Sequence, residues 1–165
     1  MAEITVKKIP AHTVYRAEYD VSSFMDFFDS ETDGNILYDL QFEMEEDNPN
    51  VNVPEMGDDY NYFDYPVKGN ADGTMHVVYN DMVDKAGKDS PKGSYRFASV
   101  PEVTAVCMEQ KGPLDTFEEG FQNVLEWIRA NGYETEGKGR ISAIHGPWDR
   151  DNEDDYVNEC QIIIK

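Results

Sequence analysis

The segment from Val100 to Gly132 constrains the fold more than any other, because a strand pattern, a sharp turn and a helix pattern follow one another directly in it. Residues 100–109 are rich in valine and other small apolar side chains, which is typical of a buried or half-buried strand. Gly112 and Pro113 end this strand. Pro113 suits the first turn of a helix, because its φ is fixed and it has no N–H to leave unpaired.

An apolar stripe predicts the helix that follows the turn. It consists of five side chains at helical spacing, namely Phe117, Phe121, Val124, Leu125 and Ile128. Acidic residues at the start of this segment and Arg129 near its end complement the helix dipole. Asn131 and Gly132 supply a left-handed stop. We therefore predict a well-defined helix from Pro113 to Asn131.

A second copy of the strand lies near the N-terminus. The segment Ile9–Tyr19 aligns with Val100–Gln110, and the identical pairs are Pro10 and Pro101, Thr13 and Thr104, and Glu18 and Glu109. A helical pattern follows in both places. Chance similarity between two strands is the alternative explanation, but the same order of elements after each copy favours a duplicated supersecondary unit.

The remaining patterns complete two similar halves. We predict strands at 3–9, 13–19, 60–67, 75–83, 138–145 and 156–164, a short helix at 24–28 and a longer helix at 36–46. This order reads strand, helix, strand, strand, twice over, and predicts an α+β fold whose helices cover one face of an antiparallel sheet. We expect one domain over residues 3–165, with a first repeat at about 3–85, a linker at about 86–93 and a second repeat at about 94–165.

The charge of the chain limits its partners. The 165 residues include 34 acidic and 14 basic side chains, and the net charge of −20 disfavours binding to nucleic acid or to anionic membranes. Most of this charge is explained by a solvated acidic surface. Residues 1–8 lack the apolar core of a signal peptide, no stretch approaches a membrane span, and both Cys107 and Cys160 fall in strand patterns. We therefore expect a cytoplasmic protein with two buried thiols.

Glu159 is the residue that the pattern of the last strand singles out. The run Ile162–Ile164 indicates a buried strand, and alternation places Cys160 and Ile162 on the helix-covered face. Glu159 then points to the opposite face in the middle of the sheet. A carboxylate is costly there unless it is paired, solvated or used. Two interpretations stay open: a strand glutamate on a wet face with a nearby lysine, or a lone carboxylate at the floor of an aromatic cleft that attracts cationic or hydrogen-bonding ligands.

Three stretches together resemble a known family. They are VKKIPAHTVYRAEY, VPEVTAVCMEQKGPLDTFEEGFQNVLEWIRANGYE and YVNECQIIIK, and they resemble the gyrase-inhibitor-like (GyrI-like) domain, which is also the effector-binding domain of AraC-type and MerR-type regulators. The resemblance implies a duplicated βαββ fold with a pseudo-two-fold axis and a ligand groove on the sheet face away from the helices. It also implies hydrophobic, often cationic, small-molecule ligands and a pocket glutamate that matches Glu159.

The chain departs from the family pattern at Ala143, where many relatives have a tyrosine. Some family members are hydrolases of cyclopropane-bearing natural products that use a glutamate together with aromatic groups. The missing tyrosine argues against this chemistry here, and the smaller side chain at position 143 would widen the pocket.

Aromatic residues on strands or just after them are the other candidates for the groove. They are Tyr15, Tyr62, Phe63, Tyr65, Tyr79 and Trp148. Most aromatic side chains are simply buried, and the face that each takes depends on a register that the sequence does not fix. The three histidines, His12, His76 and His145, have no partner at metal-ligand spacing, so neither a metal site nor a cofactor is expected.

Three functions remain open at this point. The first is a stand-alone small-molecule-binding protein that senses or sequesters a ligand, with no direct binding of nucleic acid because no helix-turn-helix precedes Glu3. The second is a hydrolase of strained electrophiles in which Glu159 is the general base. The third is an acidic protein that acts on a topoisomerase. A separate regulator protein is a further candidate partner.

Overall fold

The computed structural model describes residues 3–21, 35–54, 60–66, 74–113, 117–145 and 150–165. The elements in these ranges are β1 (Ile4–Ile9), β2 (His12–Val21), α1 (Asn35–Asp47), β3 (Asn61–Pro66), β4 (Met75–Val83), β5 (Arg96–Val100), β6 (Val103–Lys111), α2 (Phe117–Ala130), β7 (Thr135–His145) and β8 (Val157–Ile164). A short 3-10 turn at Glu153–Asp155 precedes β8. Neither helix combines the length and the apolar character that crossing a lipid bilayer requires.

The predicted α+β class is confirmed, and one boundary differs in an informative way. The strand predicted over 100–109 begins only at Val103 as β6, and a separate strand, β5, ends at Val100, because Pro101 has no N–H to donate to a sheet ladder. Each half of the chain therefore contributes two strands before its helix, not one. The short helix predicted at 24–28 lies outside the described residues.

The order of the strands is symmetric about the centre of the sheet. The order is β1-β6-β8-β7-β3-β4-β2-β5, and all pairs are antiparallel. The strands β1 to β4 of the first half correspond to β5 to β8 of the second. If each is exchanged for its counterpart, the order reads the same from the opposite edge of the sheet. The pseudo-two-fold axis therefore passes between β3 and β7. The first strand of each half pairs with the other half, because β1 lies beside β6 and β5 lies beside β2.

Two proline bends curve the sheet. Pro10 and Ala11 alone join β1 to β2, although five other strands stand between these two in the sheet order. Three successive Cα–Cα steps span at most about 11 Å, so the sheet has to curl until these strand ends meet. Pairing keeps one register across the bend, with Ile9 opposite Val103 before it and His12 opposite Val100 after it. Pro101 occupies the equivalent link between β5 and β6.

Both helices cover the same face of the sheet. The main apolar core combines Leu40 and Met44 of α1 with Phe121, Val124 and Ile128 of α2, and with Cys160, Ile162 and Ile164 of β8. Because side chains alternate along a strand, the opposite face carries the intervening residues, and neither of the two described helices packs on it. We call this second surface the open face.

Close packing of α2 on β8 gives a stability prediction. A Cβ built on Gly120 would lie 2.8 Å from Sγ of the buried Cys160 and 3.3 Å from Oε1 of Gln110. Alanine gains about 1 kcal/mol of helix propensity, but overpacking costs about 1–3 kcal/mol. We expect Gly120→Ala to lower the free energy of unfolding by about 1 kcal/mol in urea titrations.

The matched variants isolate the cause. Gln122→Ala, on the exposed side of α2, should change stability by less than about 0.5 kcal/mol. In a Cys160→Ala background the Gly120→Ala penalty should become clearly smaller, because the nearest atom that the new methyl group meets is gone. A penalty that is unchanged in that background would show that the contact is not its source.

Candidate functional site

The open face carries the polar side chains that converge near the centre of the sheet. In β8, Glu159 and Gln161 point to this face, while Cys160 and Ile162 belong to the core under α2. The register of β7 places Ser142 opposite Glu159 and Arg140 opposite Gln161. Glu159 therefore lies on the face that its alternation predicted.

A cavity of about 420 Å³ lies on the open face beneath the bend between β1 and β2. Its lining combines six apolar or aromatic residues with six polar ones, but its surface is mainly apolar. The residues are Ile9, Pro10, Ala11, Tyr60, Met82 and Ile144, and Lys7, Lys8, His12, Ser142, Glu159 and Gln161. This size and this mixture are typical of sites for drug-sized molecules. The cavity is close to the pseudo-two-fold axis, where both halves of the chain supply its walls.

Glu159 is almost completely buried, and its carboxylate has two partners. Its residue exposure is 8 %. Lys7 places Nζ 2.8 Å from Oε2, and the amide nitrogen of Gln161 donates to Oε1 at 2.7 Å. The interpretation of a lone carboxylate is thus corrected, because β1 brings a lysine across β6 to this acid. Two charge-assisted hydrogen bonds offset the cost of burying the charge.

The two members of this ion pair differ in their contact with water. The Lys7 side chain is 49 % exposed and that of Glu159 only 11 % exposed. The hydrogen bond to Glu159 raises the pKa of Lys7, and burial opposes this effect. Lys7 therefore stays charged at neutral pH, but it reaches the site from the outside on a long stem.

Tyr60 and His12 form one wall of the cavity beside this pair, and Tyr62 supports both from behind. The Tyr60 hydroxyl donates to Oε1 of Gln161, and its ring stacks on that of Tyr62 with centroids 4.3 Å apart. Nε2 of His12 lies 2.8 Å from the Tyr62 hydroxyl, and Nδ1 donates to the Pro10 carbonyl oxygen. Burial raises the pKa of Tyr60 to about 12, so its hydroxyl remains a donor. The wall is hydrogen-bonded to Glu159 through Gln161.

Arg140 lies behind this wall with its side chain almost fully buried. Its Cζ is 4.7 Å from the centroid of the Tyr62 ring, and its Nε is 3.5 Å from Oδ1 of Asp64. The ring face and the carboxylate both favour the positive charge. Arg140 does not line the cavity, so its role there is to hold the Tyr62 ring in place.

Four of the predicted groove residues lie on the other face. They are Tyr15, Phe63, Tyr65 and Tyr79, and all belong to the helix-covered core. Tyr65 stacks on Phe121 of α2 with centroids 5.6 Å apart. Their placement is thus corrected: β3 is aromatic on both faces, and its register puts Tyr62 and Asp64 on the open side. Tyr62 itself supports the cavity wall from behind Tyr60 without lining the cavity.

Two further predicted residues, Trp148 and the side chain of Ala143, lie outside the described residues. The backbone of Ala143, in β7, pairs with Asn158 of β8. The structure instead adds Lys7, Tyr60 and Gln161. Gln161 is two positions after Glu159 in β8, so alternation places both side chains on the same face. The sequence therefore contained a signal for Gln161.

A second cavity, of about 1130 Å³, runs along the outer edge of the sheet between β1, β6 and α2. It shares two residues with the first cavity, and these are Lys7 and Glu159. The ion pair therefore stands between the two cavities.

The described residues contain no cluster of three or more side chains able to hold a metal ion. Cys107 lies on the open face in a small apolar cluster with Ile9 and Ala105. Burial raises the pKa of the Cys107 thiol to about 12, so this group is neutral near pH 7 and a poor nucleophile. The chemistry available at the site is that of an ion pair, an amide and aromatic hydroxyls.

No protein-family model and no curated protein matches the chain. Among solved structures, it is similar to the EcmrR C-terminal domain, with a TM-score of 0.82, 24 % identity and coverage of 100 % of this chain and 98 % of that one. EcmrR in a cryo-EM structure of its DNA complex gives a TM-score of 0.85 at 24 % identity, over 99 % of this chain but 57 % of the EcmrR chain.

More distant matches have the same fold. SAV2435 bound to tetraphenylphosphonium gives a TM-score of 0.61 at 12 % identity, covering 99 % of this chain and 94 % of that one. A hydrolase from Listeria innocua gives 0.62 at 9 % identity, covering 97 % and 91 %. The resemblance to GyrI-like effector-binding domains is thereby confirmed at the level of the fold.

The environments of two histidines predict that His12, in the cavity wall, titrates at a lower pH than the exposed His76. Burial lowers the pKa of His12 below its ordinary value of 6.5, and nearby Arg140 and Arg16 add to this effect. Hydrogen bonds to Asp20 and Glu18 raise the pKa of the exposed His76 above 6.5. We expect NMR titration of the imidazole protons to show His12 titrating below 6.5 and His76 above it.

The lowered pKa of His12 also determines how its contribution to folding stability depends on pH. The unfolded chain binds a proton at position 12 more readily than the folded one, so the contribution of His12 to stability falls as the pH drops below 6.5. His12→Gln should remove this loss, and it also assigns the NMR signal. A His12 that titrates at or above the pH of His76 would contradict the buried placement of its ring.

Proposed function

We propose that this chain is a small-molecule-binding domain of the effector-binding type, which senses or sequesters a hydrophobic ligand that carries a positive charge or a hydrogen-bond donor. The observation that carries this proposal is the buried carboxylate of Glu159 in the wall of a cavity whose surface is mainly apolar. Two contributions favour binding of such a ligand in this cavity. Its apolar surface is removed from water, and its charge or hydrogen-bond donor pairs with Glu159.

The form of the cavity supports a ligand of moderate size. Its volume of about 420 Å³ is in the range of drug-sized molecules, and Ile9, Met82 and Ile144 offer apolar contact. The Tyr60 ring is held by stacking and by its hydrogen bond to Gln161. A ring fixed in this way loses little entropy when an aromatic or cationic ligand packs against it.

Proteins of the same fold add weight to the proposal. The chain spans nearly the whole EcmrR C-terminal domain, and SAV2435 has been seen with tetraphenylphosphonium, a hydrophobic cation. The chain spans only 57 % of the EcmrR chain in the DNA complex, so we do not extend the DNA binding of EcmrR to this chain.

Tetraphenylphosphonium is therefore the first probe. At about 100 times its Kd it should raise the melting temperature by about 5–10 °C, since a ligand that binds only the folded state stabilises it by mass action. Glu159→Gln keeps the shape of the side chain and removes its charge. We expect this variant to bind the probe about tenfold more weakly or worse, as measured by thermal shift and by calorimetry.

A surface ion pair on the same sheet provides the control. Glu136 is exposed and pairs with Lys138 in β7, so Glu136→Gln removes the same charge away from both cavities. Its affinity for the probe should equal that of the wild type, which excludes a general effect of the net charge of −20. Equal loss of affinity in both glutamine variants, or no binding by the wild type, would refute the proposal.

The hydrolase alternative is less well supported by the geometry of Glu159. A general base has to accept a proton from an attacking water, and each oxygen of this carboxylate already accepts one hydrogen bond, from Lys7 or from Gln161. The likeness to a Listeria innocua hydrolase concerns the fold alone. We therefore favour ligand binding over hydrolysis as the function of this site.

A further inference from the structure

The ammonium group of Lys7 occupies the position that a ligand's positive charge would need. It lies 2.8 Å from Oε2 of Glu159, and both side chains line the cavity. Within the described part of the chain, no other lysine or arginine is within ion-pair distance of this carboxylate. A cation that enters the cavity has to share Glu159 with Lys7 or displace it.

We propose that Lys7 is a built-in, displaceable counter-cation that determines which ligands reach Glu159. This inference rests on the proposed function and concerns the selectivity of the same site. A ligand displaces Lys7 only if its own charge and apolar area together contribute more than the internal ion pair. Neutral ligands leave the pair intact and occupy the apolar part of the cavity.

The exposures of the two partners indicate which one moves. About half of the Lys7 side chain is in contact with water, whereas Glu159 is held by Gln161 and is mostly buried. Lys7 lies on β1, which is at the edge of the sheet order, and its flexible stem allows the ammonium to swing into solvent. A half-exposed ion pair contributes little, so releasing Lys7 costs little.

Once Lys7 has left, none of the other lysines and arginines that the structure describes is within ion-pair distance of the carboxylate. Gln161 still donates one hydrogen bond, but the thiol of Cys107 is neutral and Glu109, opposite Glu159 in β6, is acidic. The buried charge then favours any cation that takes the place of the ammonium. The site thus exchanges one cation for another and does not hold a bare buried carboxylate.

Displacement also joins the two cavities. Lys7 and Glu159 are the residues that both cavities share, so the ammonium stands at their boundary. When it leaves, the space of about 420 Å³ on the open face meets the larger space along the sheet edge. The proposal therefore favours cations with a long apolar body over compact ones of the same charge.

Lys7→Met tests the proposal, because it removes the charge and keeps most of the stem. Tetraphenylphosphonium is a suitable probe, since it has a fixed charge and no N–H donor. Calorimetry should show that Lys7→Met binds it roughly two- to fivefold more tightly than the wild type, which is the fold-change expected from removing a competing, half-exposed ion pair. Lys138→Met, which breaks the surface pair with Glu136, should leave the affinity unchanged.

The double variant Lys7→Met/Glu159→Gln separates this mechanism from a general change in charge. Lys7 acts only through Glu159, so the double variant should bind no more tightly than Glu159→Gln alone. Equal or weaker binding by Lys7→Met, with Glu159→Gln still impaired, would overturn the role of Lys7 and leave the proposed function standing. If Glu159→Gln binds as well as the wild type, the proposed function and this inference both fail.

Discussion

The exchange of the first strand between the two halves is the constraint on which the rest of the structure depends. Pro10 and Pro101 interrupt two long paired strands at equivalent places, so β1 joins the second half and β5 the first. The short links force the sheet to curl, and the open face becomes concave under the bend. The same exchange delivers Lys7 to Glu159 across 152 positions of the chain.

Burial of one carboxylate then organises the chemistry of the open face. Glu159 is stable there because Lys7 and Gln161 each donate to it, and Gln161 in turn accepts from Tyr60. Stacking with Tyr62, which is itself held by Arg140, fixes the Tyr60 ring. The result is a wall with a defined shape beside a charge that has one replaceable partner.

The sequence predicted those features that depend on local pattern. The apolar run at the end of β8 placed Glu159 correctly, and β4 was predicted with its observed bounds because turns flank it clearly. The aromatic residues of β3 could not be assigned to a face, since a slip of one residue exchanges the two sets and both are aromatic. A lysine near Glu159 was one of the two interpretations left open, but the sequence could not identify it as Lys7, because no local pattern tells which strand lies beside β6.

The central claim is that Glu159, at the boundary of an apolar cavity, receives the positive end of a ligand. A crystal structure of the protein soaked with tetraphenylphosphonium tests this directly. The account predicts density for the cation in the cavity between Tyr60 and Glu159, with the Lys7 side chain turned into solvent. Density for the cation elsewhere, with the ion pair between Lys7 and Glu159 intact and side chains filling the cavity, would contradict it.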